Sequence, residues 1–143
     1  MAIPAQIEDF RTVAATIANG ELTRRAVALA CAVDLRDARC ATPGVRELQG
    51  FPVEGPFSIV SLREHFDAAA PAVVTLTPRA RMRFYQSDLA RHFRFAGDVV
   101  VINPRIPPEG TVTYQLIDGE RTLVFEFTRR SRTLRKLLII AAG

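Results

Sequence analysis

The groups in this chain best suited to chemistry are a histidine, two tyrosines and a few aspartates. Asp88 and His92 stand four residues apart, close to Tyr85. On a helical turn that spacing brings a carboxylate beside an imidazole and could orient it as a base. The competing reading is a solvent-facing turn capped by Asp88. Asp34 and Asp37 follow a long apolar segment. A carboxylate at the rim of an apolar pocket has its pKa raised and can move protons; the competing reading is pairing with Arg36 or Arg39 on a solvated helix end. Tyr114 is expected to point inward, either offering its hydroxyl to a ligand carbonyl or packing in the core with that hydroxyl satisfied. Asp37, His92 and Tyr85 are therefore the candidate catalytic residues, and Tyr114, Phe125 and Phe84 the candidate ligand-binding ones. His65, beside Phe66, reads as a histidine on a helix surface.

Other chemistries lack their signatures. There is no phosphate-cradling glycine loop, no serine elbow and no metal-ligand spacing, so neither a cofactor nor a metal is expected. Cys31 and Cys40 have no clustered histidines with which to hold zinc, and two cysteines suit a reducing compartment. Cys31 lies in ALACAV and reads as a small buried hydrophobe. No apolar run approaches the roughly 20 residues that cross a bilayer, and the first residues lack a basic stretch followed by an apolar one. The expectation is a cytoplasmic protein without a membrane partner.

The net charge of +4 is unevenly spread. Residues 1–70 hold seven arginines against nine acids, and residues 71–143 hold twelve basic residues against six acids. Lys136 is the only lysine. Such arginine richness matches a codon-composition effect and does not by itself indicate nucleic acid. Arg129, Arg130, Arg132, Arg135 and Lys136 could neutralise phosphates together with Arg79, Arg81 and Arg83, yet aromatic platforms for base stacking are sparse. Nucleic acid is thus not the expected partner, and the cluster reads as a solvated turn whose charges blunt a sheet edge.

The elements that must position these residues follow from periodicity. At 143 residues and 48% hydrophobic content the chain suffices for one domain with a real core. Ile3, Ile7, Phe10, Ala14 and Ile17 recur at helical spacing, and Asn19-Gly20 can end that helix in the left-handed conformation. A second helix is expected over 21–39, apolar all round in its middle. A loop with short strand pieces at 45–48 and 51–53 spans 41–56. Ser61-Leu62-Arg63-Glu64 resembles a capped helix start that would turn Leu62 and Phe66 inward. Strands are expected over 72–77, 79–86 and 98–103, the second with Arg79, Arg81, Arg83 and Tyr85 on a basic face and Phe84 inside. Residues 87–93 suit a single helical turn.

The clearest unit lies at 111–140. An Asp118-Gly119 turn closes a hairpin that pairs Tyr114 with Leu123 and Val112 with Phe125, apolar on one face and polar on the other. Leu134 to Ile140 then reads as a central strand covered on both faces, a short buried helix being the competing reading. The fold class is α+β, a single domain over 1–143 with N-terminal helices packed on a mainly antiparallel sheet.

This order resembles the NTF2-like superfamily, with its SnoaL-like and ketosteroid-isomerase-like members. The residues that carry the resemblance are AATIANGELTRRAVALA, Thr42-Pro43-Gly44, SLREHF and LVFEFTRRSRTLRKLLII. It implies a curved, cone-like sheet around an apolar pocket. It also implies a carboxylate base just before the loop proline, where this chain has Thr42, which cannot serve. The leading functional expectation is a domain that binds a small apolar organic molecule, with isomerase-, cyclase- or dehydratase-type acid–base activity in reserve. The alternative is a non-catalytic structural or assembly protein that forms a homo-oligomer, a dimer, through its sheet. A basic nucleic-acid accessory protein is the third.

Overall fold

The computed structural model describes residues 3–67, 70–93, 101–103 and 110–141, the side chains of 101–103 excepted. Helix α1 (Pro4–Asn19) starts on a proline, whose fixed φ suits the first turn. Phe10, Ala14, Ile17 and Ala18 form its buried stripe, as the spacing requires. It ends at Asn19 as expected, but Gly20 is extended (φ −100°) and not left-handed. Helix α2 (Arg24–Cys31) begins on Thr23, whose hydroxyl oxygen accepts from the Ala26 N–H at 3.2 Å.

That second helix is much shorter than the expected 21–39. Ala32 turns left-handed (φ 50°), and its N–H and that of Val33 return to carbonyls of Ala28 and Leu29, which ends the helix in the usual way. Nor is it buried all round. Val27 and Cys31 are buried, while Leu29 is 81% exposed, because one stripe of so short a helix reaches the sheet.

Eight strands follow: β1 (Arg36–Ala38), β2 (Val45–Gly50), β3 (Phe57–His65), β4 (Val73–Pro78), β5 (Val101–Asn103), β6 (Thr111–Asp118), β7 (Arg121–Thr128) and β8 (Leu134–Ala141). They make one sheet in the order β1-β2-β3-β4-β8-β7-β6-β5, and every neighbouring pair is antiparallel. The class is therefore α+β, as the helix-then-strand order implied. Gly50 is buried where the chain entering β1 crosses β2: a Cβ there would lie 2.7 Å from the Asp34 carbonyl oxygen.

Two expected elements are replaced. Ser61 to His65 is not a helix but the second half of β3, paired with both β2 and β4. Leu62 is buried as foreseen, whereas Phe66 is 75% exposed. Local capping chemistry lost to two long-range ladders. Residues 79–83 are turn and irregular chain instead of a strand, with Arg83 at φ 46°. A short helix, α3 (Gln86–Leu89), follows. The expected strand piece at 51–53 is also absent, and of the strand expected at 98–103 residues 98–100 lie outside the described residues.

The hairpin forms with its register moved by two. Its turn is Gly119-Glu120, with Gly119 at φ 58° in the first central position, the place a type II′ turn gives to glycine. Tyr114 faces Phe125, Val112 faces Phe127 and Leu116 faces Leu123. The expected register would have set Leu116 against Arg121; the observed one makes a third apolar pair on the inner face. A shift of two keeps every side chain on its side, so Leu123 and Phe125 are buried as foreseen. β8 extends as a strand in mid-sheet, with Leu134, Leu137 and Ile139 buried and Leu138 and Ile140 only half-buried. Among the described residues it is covered on one face, not two.

The inner face and the helices enclose a core rich in phenylalanine. Phe10 on α1 packs on Phe57, Phe84 and Phe93 at ring separations of 5.2, 4.8 and 6.1 Å. Phe93 continues to Phe125 at 5.0 Å, and Phe125 stacks on Phe127 at 6.4 Å. Each such side chain contributes about 2–3 kcal/mol through burial. Among the described residues no helix is long and apolar enough to cross a membrane.

Candidate functional site

The structure disperses the residues that the sequence singles out. Asp37 lies on the exposed edge strand β1, where Arg46 of β2 donates to both of its carboxylate oxygens at 2.7 and 3.2 Å. The hydrogen bonds from Arg46 hold the Asp37 carboxyl below its usual range, with desolvation working the other way. Asp34 accepts from Arg36 at 2.9 Å, one of the pairings the sequence suggested, whereas Arg46 was not foreseen. Both aspartates line a shallow groove of about 450 Å³ beside Phe51. Both are solvated ion pairs, and the carboxyl of Asp37 is lowered where a pocket-rim base needs it raised.

Tyr85 and Phe84 sit just before α3, pinned to the chain that enters β8. The Leu134 N–H donates to the Phe84 carbonyl at 2.7 Å, the Gln86 N–H donates to the Arg132 carbonyl at 2.9 Å, and Tyr85 bridges to Thr133. Arg132 Nη1 lies 3.3 Å from both Gln86 Oε1 and Tyr114 Oη, and Tyr114 rests edge-on against Phe127 at 6.0 Å. One arginine thus links the segment carrying Tyr85 to Tyr114 through hydrogen bonds. His92 is exposed beyond the end of α3, and no hydrogen bond or ion pair joins it to Asp88. Phe84 and Phe125 are fully buried among aromatic neighbours. They serve as packing, and neither opens onto solvent.

Two features escape a reading from sequence. The first is Arg79, expected on a basic strand face. Its Nε donates to the Gly55 carbonyl at 2.8 Å, its Nη2 to the Pro52 carbonyl, and its backbone N–H to the Pro56 carbonyl at 2.9 Å. The β2–β3 loop is clamped at three carbonyls by one residue, and a cavity of about 300 Å³ lies between that loop and the two helices. Nothing in the local sequence marks Arg79 apart from Arg81 and Arg83.

The second is the face of the sheet turned away from the helices. Two rows of residues cross it, following the strand register. One runs Ile117, Thr122, Ile140, Val73, Arg63, Glu47; the next runs Gln115, Val124, Leu138, Thr75, Ser61, Gln49. Most of these are half-buried by their neighbours alone. Part of the face is a groove of about 570 Å³ between Glu47 and Leu138. The period-2 alternation of β4 and β7 is the signal in the sequence that marks this face.

Among the described residues no group of three or more His, Cys, Asp or Glu is placed to hold a metal ion. Compared with known proteins, the chain matches no family model, no curated protein and no solved structure.

Proposed function

We propose that this chain is a non-catalytic assembly module that pairs with a second copy of itself through the outer face of the sheet. The observation that carries the reading is the band of Ile59, Val73, Val124, Leu138 and Ile140 running between threonines across four central strands, with no described element packed over it. Sheets twist, so such a face is hollow along one diagonal and ridged along the other. A second copy turned across it can set ridge into hollow, as in orthogonal sheet packing. Charges of both signs flank the band: Glu47 with Arg63 on one side, Glu126 with Arg135 and Lys136 on the other. A like face can therefore be met with opposite sign.

Strand spacing and rise give a footprint of roughly 25 by 20 Å. That is on the order of 500 Å², less than the ~800 Å² per partner of a standard interface. The association is thus reversible rather than obligate. The proposal keeps the NTF2-like resemblance and its cone-like sheet, since domains of that shape often pair by sheet packing. It sets aside acid–base chemistry, because Asp37 is a solvated ion pair and Phe84 and Phe125 are close-packed.

Size-exclusion chromatography with light scattering over a concentration series tests it. A dimer that dissociates on dilution, and that Leu138→Glu converts to monomer without loss of the folded circular-dichroism spectrum, is the expected result. A strict monomer at several hundred micromolar sinks the reading.

A further inference from the structure

We infer that the cavity between α1, α2 and the β2–β3 loop binds a small cation with an apolar body, of the aryl-alkyl primary amine class. The cavity lies on the helical side of the molecule, so this inference is independent of the sheet-face proposal. Val13 of α1, Cys31 of α2, and Pro52 and Phe57 from the loop and β3 give it an apolar lining. Asp9 and Glu54, both exposed, stand among its lining residues from opposite sides, one on α1 and one on the loop. At about 300 Å³ it is at the small end of ligand pockets, and about twice the ~150 Å³ apolar cavity that admits benzene. A ring with a short chain fits that volume.

Three observations favour an occupant over an accidental gap. The loop wall is held in place by the Arg79 clamp, so the cavity exists before anything binds, which spares a ligand the cost of ordering it. Burial pushes the Cys31 thiol up to about 11, so the part of the wall that it forms is apolar in character. Val53, between the lining residues Pro52 and Glu54, is 91% exposed. Apolar surface therefore continues outward along the loop. The sign of the ligand follows from the carboxylates. Arg79 is the nearby cation, but its Nε and Nη2 point at the Gly55 and Pro52 carbonyls, and Arg11 pairs with Glu8.

The test uses three probes of one shape: 2-phenylethylamine, 2-phenylethanol and 3-phenylpropanoate. Binding is read by calorimetry and by the rise in the thermal unfolding midpoint. The amine is expected to bind and stabilise most strongly, the alcohol less and the carboxylate least. Asp9→Asn and Glu54→Gln, both at exposed positions, should each weaken the amine two- to fivefold, as suits an exposed ion pair, and leave the alcohol unchanged. Val13→Phe should abolish binding of all three by filling the space. Equal binding of amine and carboxylate, no binding of any probe, or amine binding indifferent to both charge variants would overturn the inference. If Val13→Phe does not fold, the two charge variants decide.

Discussion

On β7, Leu123, Phe125 and Phe127 turn towards the helices and are almost inaccessible, while Thr122, Val124 and Glu126 alternate with them at intermediate exposure on the other side. The same contrast runs through β3, β4 and β8. The inner face is joined by aromatic rings and closed by two helices; the outer one mixes threonines, aliphatic side chains and charges. What separates the two is not hydrophobicity alone, since Leu138 and Ile140 are as apolar as Leu137 and Ile139. It is whether another described layer of the chain lies over them. The comparison teaches that folding finishes one face and, among the described residues, leaves the other open to the proposed pairing.

If that is right, substitutions should fall in a steep order. Phe125→Ala on the inner face should cost about 3–5 kcal/mol of folding stability, measured by guanidinium unfolding, as large core truncations do. Leu138→Thr on the outer face should cost the monomer about 1 kcal/mol or less while weakening self-association. A loss as large as that of Phe125→Ala would mean that the outer face is covered after all. Glu126→Gln breaks the 2.9 Å contact with Arg135, whose two side chains are 18% and 31% exposed. The expected loss is under about 1 kcal/mol and shrinks with added salt.

Titration separates the faces further. Cys31, packed against the inner core, has its thiol raised from 9.0 to about 11. Its contribution is complete below pH 9, where the unfolded thiol also keeps its proton, and fades as pH rises towards 11. Cys31→Ala should flatten the fall of stability over that window in alkaline unfolding curves. Asp37 gives the smallest effect. Its folded carboxyl is lowered from 3.8, so what it adds is present above that value and is lost as pH falls below it. Since the pair with Arg46 is exposed, Asp37→Asn should lower the unfolding midpoint at pH 7 only slightly, and the difference between the two proteins should vanish as pH falls well below 3.8.

The C-terminal three strands were legible because period-2 alternation fixes which face a side chain takes, whatever the exact pairing. That is why Leu123 and Phe125 were placed correctly although the turn sits one residue along from Asp118-Gly119. The 61–66 and 79–86 segments were not legible. In the first, the partners that draw Ser61 to His65 into a strand lie up to 20 positions away on β2, and a local helix cap cannot report them. In the second, Phe84 was rightly sent inward, but Arg79 turns to the loop carbonyls. Of the candidate site, Tyr85 and Tyr114 were seen as residues, but the arginine that links their neighbourhoods, Arg132, was read as part of a solvated turn.

β8 joins β4 on one flank to β7 on the other, so it is the seam of the sheet. During synthesis the β2–β4 portion and the β6–β7 ribbon must each wait, with apolar edges unpaired, until residues 134–141 have left the ribosome. A nascent chain stalled before that point would hold two unjoined half-sheets. It would be the form of this protein most in need of a chaperone.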